Sequence, residues 1–274
     1  MKIEVLLAIM NIKSEEQLKT MLEKNKITGQ VLVANQINKN DGINIDTGKV
    51  RILSYNEIGV SNNRNRLLEN AKGDILIFAD DDTIFEKDYE QTIRQAYENN
   101  KEADMIIFYS DSLNKKREKA KKIGNKKLNK IDLMRVRTCE ISLKRETLEK
   151  MKKNNIKFDT RFGPGGAFLK GEESIFIGDL LEAGIKIYSV NKKVSSYVNE
   201  KSTWFTGYNE RYLYDQGAIF CRIYKKYYKI LVLQYVIRKY FLYRKNITLK
   251  EAYKQMCLGA KKYEEEKTWN QTYQ

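Results

Sequence analysis

A chain of 274 residues, 42% of them hydrophobic, can bury a sizeable core as one large domain or two smaller ones, which excludes a disordered or fibrous protein. Lysine and arginine outnumber aspartate and glutamate by 51 to 36, a net +15 with no histidine to alter it, so anionic company is expected: nucleotide diphosphates, phospholipid head groups or nucleic acid. The cysteines, Cys139, Cys221 and Cys257, are odd in number and far apart, which gives neither a disulfide framework nor a metal cluster and fits a reducing cytosol. The N-terminus lacks the pattern of a signal peptide, and no apolar run approaches the ~20 residues of a spanning helix.

In chain order, residues 3–10 have the continuous apolar pattern of a strand covered on both faces. Ser14, with Gln17 three residues on, is the start signal of a helix carrying Leu18, Met21 and Leu22 on one face. Gly29 resets the chain before strands at 31–34 and 50–53, separated by a turn-rich stretch holding Asp41-Gly42 and Thr47-Gly48. Ser61 is expected to cap a helix with Leu67, Leu68 and Ala71 inward, and Gly73 to end it. Residues 75–79 form the next strand, Tyr89, Ile93, Ala96 and Tyr97 mark another helix, and 105–109 another strand. This alternation predicts an α/β fold with a mostly parallel, doubly wound sheet. The lysine-rich stretch 115–130 reads as a solvated edge or as a basic lid over an anion. Residues 135–143 read as a strand, 145–151 as a helix, and 158–168 as an irregular segment holding Pro164 among Gly163, Gly165 and Gly166.

Two acidic clusters stand out. Asp80, Asp81 and Asp82 arrive together at the carboxyl end of the strand 75–79, the edge at which open α/β sheets bind ligands. Were the chain extended there, Asp80 and Asp82 would share a target while Asp81 faced elsewhere. Such a pair suits Mg2+ or Mn2+ carrying phosphate oxygens; a loop whose aspartates merely turn the chain is the alternative. The second cluster is Gly171-Glu172-Glu173, opening a helix with Phe176, Leu180 and Ala183 at helical spacing and Gly184 as its stop. There the macrodipole favours ionised carboxylates, and one held at a cleft rim can act as a general base; the dipole alone also explains acidic residues in a first turn.

Together these segments resemble family 2 glycosyltransferases with the GT-A fold, over roughly the first three quarters of the chain. Gly59-Val60-Ser61-Asn62-Asn63-Arg64-Asn65 resembles the family's Gly-x-Ser-x-x-Arg-Asn helix start, Asp80-Asp81-Asp82 its Asp-x-Asp strand end, and Gly171-Glu172-Glu173 its Gly-Glu-Asp/Glu segment, with Ser202-Thr203-Trp204 on the acceptor side. The resemblance implies a GT-A domain over residues 1–205, Rossmann-like, with a helical extension over 206–274. It implies Asn35, where the family usually has aspartate, together with Arg64, Asp80 and Asp81 on the nucleotide-sugar side. Asp82 with Asp80 would bind Mn2+ or Mg2+, Glu173 would be the catalytic base, and Glu172 would lie on the acceptor side. A family histidine beyond the base helix is missing, and Asn199 or Tyr197 stands in its place. The implied reaction is inverting, metal-dependent transfer from a nucleotide sugar, a UDP-sugar above others, to a glycan or lipid-linked acceptor of a cell-surface polysaccharide. The implied location is cytoplasmic, with peripheral contact at the inner face of the membrane.

From residue 209 to 245 aromatics alternate with cations, a composition that suits helices lying in an anionic membrane interface or helices packing their tyrosines on the core. Thr248 with Glu251 forms a capping box for a final helix. Two rival classes remain. A nucleotidyltransferase would share the sheet and metal logic but lacks its Gly-rich basic signature after Met10. A nucleic-acid-binding protein would account for the charge but not for carboxylates gathered at strand and helix ends, so no nucleic acid is expected.

Overall fold

In the computed structural model, which describes residues 1–38, 42–113, 123–130, 132–198 and 207–272, the apolar runs become strands of one ten-stranded sheet. The elements in order are β1 (Ile3–Met10), α1 (Glu15–Lys24), β2 (Gln30–Gln36), β3 (Ile45–Asp46), β4 (Val50–Tyr55), α2 (Val60–Asn70), β5 (Ile75–Asp80) and β6 (Thr83–Phe85). Then follow α3 (Tyr89–Asn99), β7 (Met105–Ser112), β8 (Lys126–Lys127), β9 (Ile141–Lys144), α4 (Thr147–Lys153), α5 (Glu172–Glu182) and β10 (Ile187–Tyr197). Three helices complete the chain: α6 (Glu210–Tyr224), α7 (Tyr228–Tyr243) and α8 (Leu249–Thr272).

The sheet order is β3-β4-β2-β1-β5-β9-β7-β10-β6, with β8 on β10. β4, β2, β1 and β5 pair in parallel, as do β7 and β10, while β9 runs antiparallel between β5 and β7. Successive side chains of a strand leave opposite faces, and here both faces are covered. Leu6, Leu32, Leu76 and Phe78 pack with residues of α2, α5, α6 and α8 in one core. Val5, Leu7, Val33 and Ile77 pack with Leu18 of α1 and Tyr89 and Ile93 of α3 in the other. At roughly 1.5–3 kcal/mol for each fully buried aliphatic side chain, these two layers are the main stabilising term.

The structure corrects several sequence expectations. Ser61 does not cap α2; Gly59 does, at φ +113, and Ser61 lies inside the helix. Residues 135–143 are not one strand: Leu133–Arg135 and Thr138–Glu140 are short 3₁₀ turns, and only β9 pairs. The buried Glu140 carboxylate explains this, because it accepts the backbone N–H of Arg137 (3.0 Å) and of Ser110 (3.2 Å) and so ties the turn to β7. β10 was hidden in the sequence by its exposed centre, Asn191-Lys192-Lys193, where the register with β7 shifts. Of the lysine-rich stretch, Lys126 and Lys127 form an edge strand on β10, and residues 114–122 lie outside the described residues. Ser14 and Thr248 start their helices as expected, accepting the backbone N–H of Gln17 (3.2 Å) and Glu251 (3.2 Å).

α6 and α8 cross at reciprocal glycines. A Cβ on Gly217 would lie 1.8 Å from the Met256 carbonyl oxygen, and one on Gly259 would lie 1.8 Å from that of Tyr214. The backbones therefore touch, and Ala218, Ile219, Ala260 and Tyr263 join the core beside the sheet.

Candidate active site

At the carboxyl edge of the sheet, each residue of the Gly59–Asn65 stretch has a positional task. The Gly59 N–H donates to the Gln36 side chain (2.9 Å), Ser61 to the Phe162 carbonyl (2.7 Å) and Asn63 to the Ile9 carbonyl (2.9 Å). Asn65 holds the Phe158 backbone with both ends of its amide, at 3.0 and 2.8 Å. α2 is thereby fixed to β1, β2 and the segment before α5. Gly165 must be glycine here, with φ +90 and a Cβ that would lie 2.6 Å from the Gly59 Cα.

Arg64 is the centre of this arrangement. Its guanidinium is buried, with Nη2 3.1 Å and 3.4 Å from the two oxygens of Asp80, Nη1 2.9 Å from Glu172, and Nη1 3.9 Å from Glu173. The two acidic clusters, some ninety residues apart in the sequence, thus meet across a single side chain. Burial opposes the Arg64 charge, but Asp80 first, then Glu172 and Glu173, outweigh it and raise its pKa. The guanidinium packs over the Phe158 ring at 5.7 Å, and that ring stacks on Phe176 of α5 at 4.1 Å.

The two glutamates differ sharply. Glu172 is buried behind Arg64, and burial followed by the charge of Glu173 pushes its pKa up against the pull of Arg64. Burial and the neighbouring charge thus act here against the helix dipole, which favours the ionised form. Glu173 is partly exposed and accepts the Thr138 hydroxyl at 2.7 Å. Thr138 carried no recognisable sequence signal, since it lies in a turn that read as strand.

The aspartates also differ from the extended picture. β5 ends at Asp80, whose N–H donates to the Thr83 hydroxyl (3.0 Å), and Asp81 and Asp82 turn the chain into β6. Asp82 is half-buried, and burial, then repulsion from Asp80 and Asp81, raises its carboxyl pKa to about 6. Such a site favours a nearby positive charge. Among the described residues no three acidic, histidine or cysteine side chains form a metal cage. Hard oxygens of Asp82 and Asp80 fit a cation that brings phosphate and water ligands of its own, as Mg2+ commonly does.

Asn35 is fully buried and its amide is occupied: Oδ1 accepts the Ile12 N–H (3.0 Å), and Nδ2 donates to the Ile12 carbonyl (2.8 Å) and to Ser54 (2.9 Å). Its side chain shapes the loop after β1. Tyr197 is buried at the end of β10, beneath the Arg137 guanidinium at 4.9 Å. Asn199 and Ser202-Thr203-Trp204 lie outside the described residues.

The family model described as glycosyl transferase family 2 matches residues 33–169. Among solved structures, S. aureus TarS 1–349 in complex with UDP-GlcNAc superposes with a TM-score of 0.59 at 14% identity, over 92% of this chain and 77% of that one. The same fragment in complex with UDP gives 0.56 at 15% identity, over 92% and 77%. The longer S. aureus TarS structure gives 0.57 at 14% identity, and this chain spans 46% of its length. No curated protein matches the sequence.

Proposed function

The chain belongs to glycosyl transferase family 2, and from that premise we propose that it moves a sugar from a UDP-sugar to a glycan or lipid-linked acceptor, with inversion at the anomeric carbon. The observation that carries this reading is the Arg64 bridge, which brings Asp80 and Glu172 to one guanidinium with Glu173 beside them. A donor preference for UDP draws on the TarS structures that bind UDP-GlcNAc and UDP, whose fold this chain shares.

The residues divide the work by exposure. Arg64 and Glu172, buried together, act as a strut that fixes Asp80 on one side and the first turn of α5 on the other. Glu173 is the general base: it is the more exposed glutamate, and Thr138 holds one oxygen so that the other is free to take the acceptor hydroxyl's proton. Attack on the anomeric carbon from the face opposite the leaving group inverts it, through a transition state of oxocarbenium character. Asp82, with Asp80, would hold Mn2+ or Mg2+, which supplies positive charge to the departing diphosphate. The raised pKa of Asp82 supports that role, because burial and then the charges of Asp80 and Asp81 outweigh the pull of Lys24 and leave the site receptive to a cation. Arg64 is already engaged by carboxylates, so we assign it to positioning, in place of the nucleotide-sugar binding that the family resemblance implied. Asn35 acts through the loop it holds.

The test is transfer and hydrolysis across a panel of UDP-sugars with Mn2+. Glu173→Gln is expected to lower turnover by about 10²–10⁴-fold with UDP binding retained. A variant with full activity refutes the assigned base.

A further inference from the structure

α7 is buried along one side only. Val232, Tyr235, Val236 and Tyr243 pack with Leu213 and Phe220 of α6 and with Ala252 and Met256 of α8. The other side carries Ile230, Leu233, Ile237 and Phe241, respectively 71%, 50%, 57% and 75% exposed. Their spacing, i, i+3, i+7 and i+11, aligns them in one stripe along the helix. Single exposed apolar side chains are ordinary, whereas a contiguous stripe on a soluble face calls for a partner.

Charge selects that partner. Between residues 216 and 250 the chain has nine lysines and arginines and no aspartate or glutamate. Lys229 lies on one flank of the stripe and Arg238 on the other by helical spacing, and Arg244 and Lys245 follow the end of the helix. A second copy of this face would bring these cations against their own kind, which disfavours self-association. A soluble polyanion would satisfy the cations but leave Phe241 and Ile230 in water. A bilayer with anionic head groups satisfies both. No helix among the described residues is long and apolar enough to cross a membrane, so α7 would lie along the surface.

We propose that α7 is a membrane-docking helix, with Ile230, Leu233, Ile237 and Phe241 in the acyl boundary of an anionic bilayer and Lys229 and Arg238 among the lipid phosphates. The inference does not depend on the sugar-transfer reading, and its test needs no donor. Docking would hold the sheet close to the lipid surface through α6, which packs on α7 and also on α5, the helix that begins with Glu172 and Glu173.

The experiment is co-sedimentation of the full chain with vesicles of phosphatidylcholine alone and of phosphatidylcholine mixed equally with phosphatidylglycerol. Retention is expected on the anionic vesicles and at least about tenfold weaker on the neutral ones, with loss at high salt. Ile237→Ser with Phe241→Ser should weaken retention about tenfold or more. Lys229→Gln with Arg238→Gln should weaken it about tenfold and flatten its salt dependence. A urea midpoint like that of the wild type in each variant reports that the fold is intact. No retention on anionic vesicles overturns the proposal. So does full retention by the Ile237→Ser, Phe241→Ser variant, which would mean adsorption by charge alone. A dimer in analytical ultracentrifugation that Phe241→Ser dissociates would assign the stripe to a second copy instead.

Discussion

Arg64 is a cation buried among carboxylates, and a buried ion of that kind persists only where its partners are held rigidly. The sequence marked Arg64, Asp80, Asp82, Glu172 and Glu173, because their types and spacing are those of a family motif. It did not reveal that Arg64 faces the acids, since the partner of a cation is set by where the chain folds back. Thr138 was invisible for the same reason. Its hydroxyl reaches Glu173 from 35 positions away. Losing a hydrogen bond to a charged oxygen costs about 1.5–3 kcal/mol, so Thr138→Val should lower kcat at least about tenfold. KM should hold, and Thr138→Ser should restore the rate. A Thr138→Val enzyme with unchanged kcat would leave Glu173 positioned by α5 alone. Asn35 has both ends of its buried amide bonded within the chain, to Ile12 and Ser54, partners that its place in the motif did not reveal.

At the scale of elements, the strands with continuous apolar runs were legible, β1, β2, β4, β5 and β7 among them, because burial on both faces leaves one kind of sequence. β10 was not, since its middle is solvated and irregular, and β9 was blurred by the polar turn before it. The pairing of α6 with α8 left only two glycines as a trace. Gly259→Ala must push the Tyr214 backbone away and should destabilise the fold by about 1–3 kcal/mol in urea unfolding, the usual cost of overpacking. The joint is also marked by Lys170, whose Nζ donates to Gln216 of α6 at 2.8 Å and lies 3.1 Å from the Tyr212 ring centroid. Burial drives the Lys170 pKa well below 10.5, with Asp215 opposing. The unfolded chain therefore binds more protons than the folded one below that value, and stability from this group rises with pH towards it. Urea midpoints between pH 7 and 9.5 should rise more steeply in the wild type than in Lys170→Met. Parallel curves would show that Lys170 is protonated in place.

For the whole molecule, the net charge of +15 has two separate readings. Part of it surrounds the helical face of α7, far in sequence from the acidic clusters, and part is spread over edges such as β8. The proposed donor site is acidic, so on this account a UDP ligand would need a cation to approach it. Mn2+ with UDP should raise the melting temperature beyond either alone, and Asp82→Asn should remove that joint effect while leaving the unliganded melting temperature nearly unchanged. A UDP shift that is equal with and without Mn2+ would assign the diphosphate to protein cations instead. The family and the sheet were open to sequence reading, because motif order and apolar patterning are written locally. The acceptor was not, because the surfaces that select it are assembled from distant segments.

The most direct measurement is a crystal structure of the chain with UDP and Mn2+, recorded at a wavelength that gives manganese anomalous signal. The account predicts a manganese peak in the coordination shell of Asp82, bridged to the diphosphate, with Glu173 on the far side of the same pocket and Arg64 still bonded to Asp80 and Glu172. Manganese and UDP bound away from both acidic clusters would contradict it.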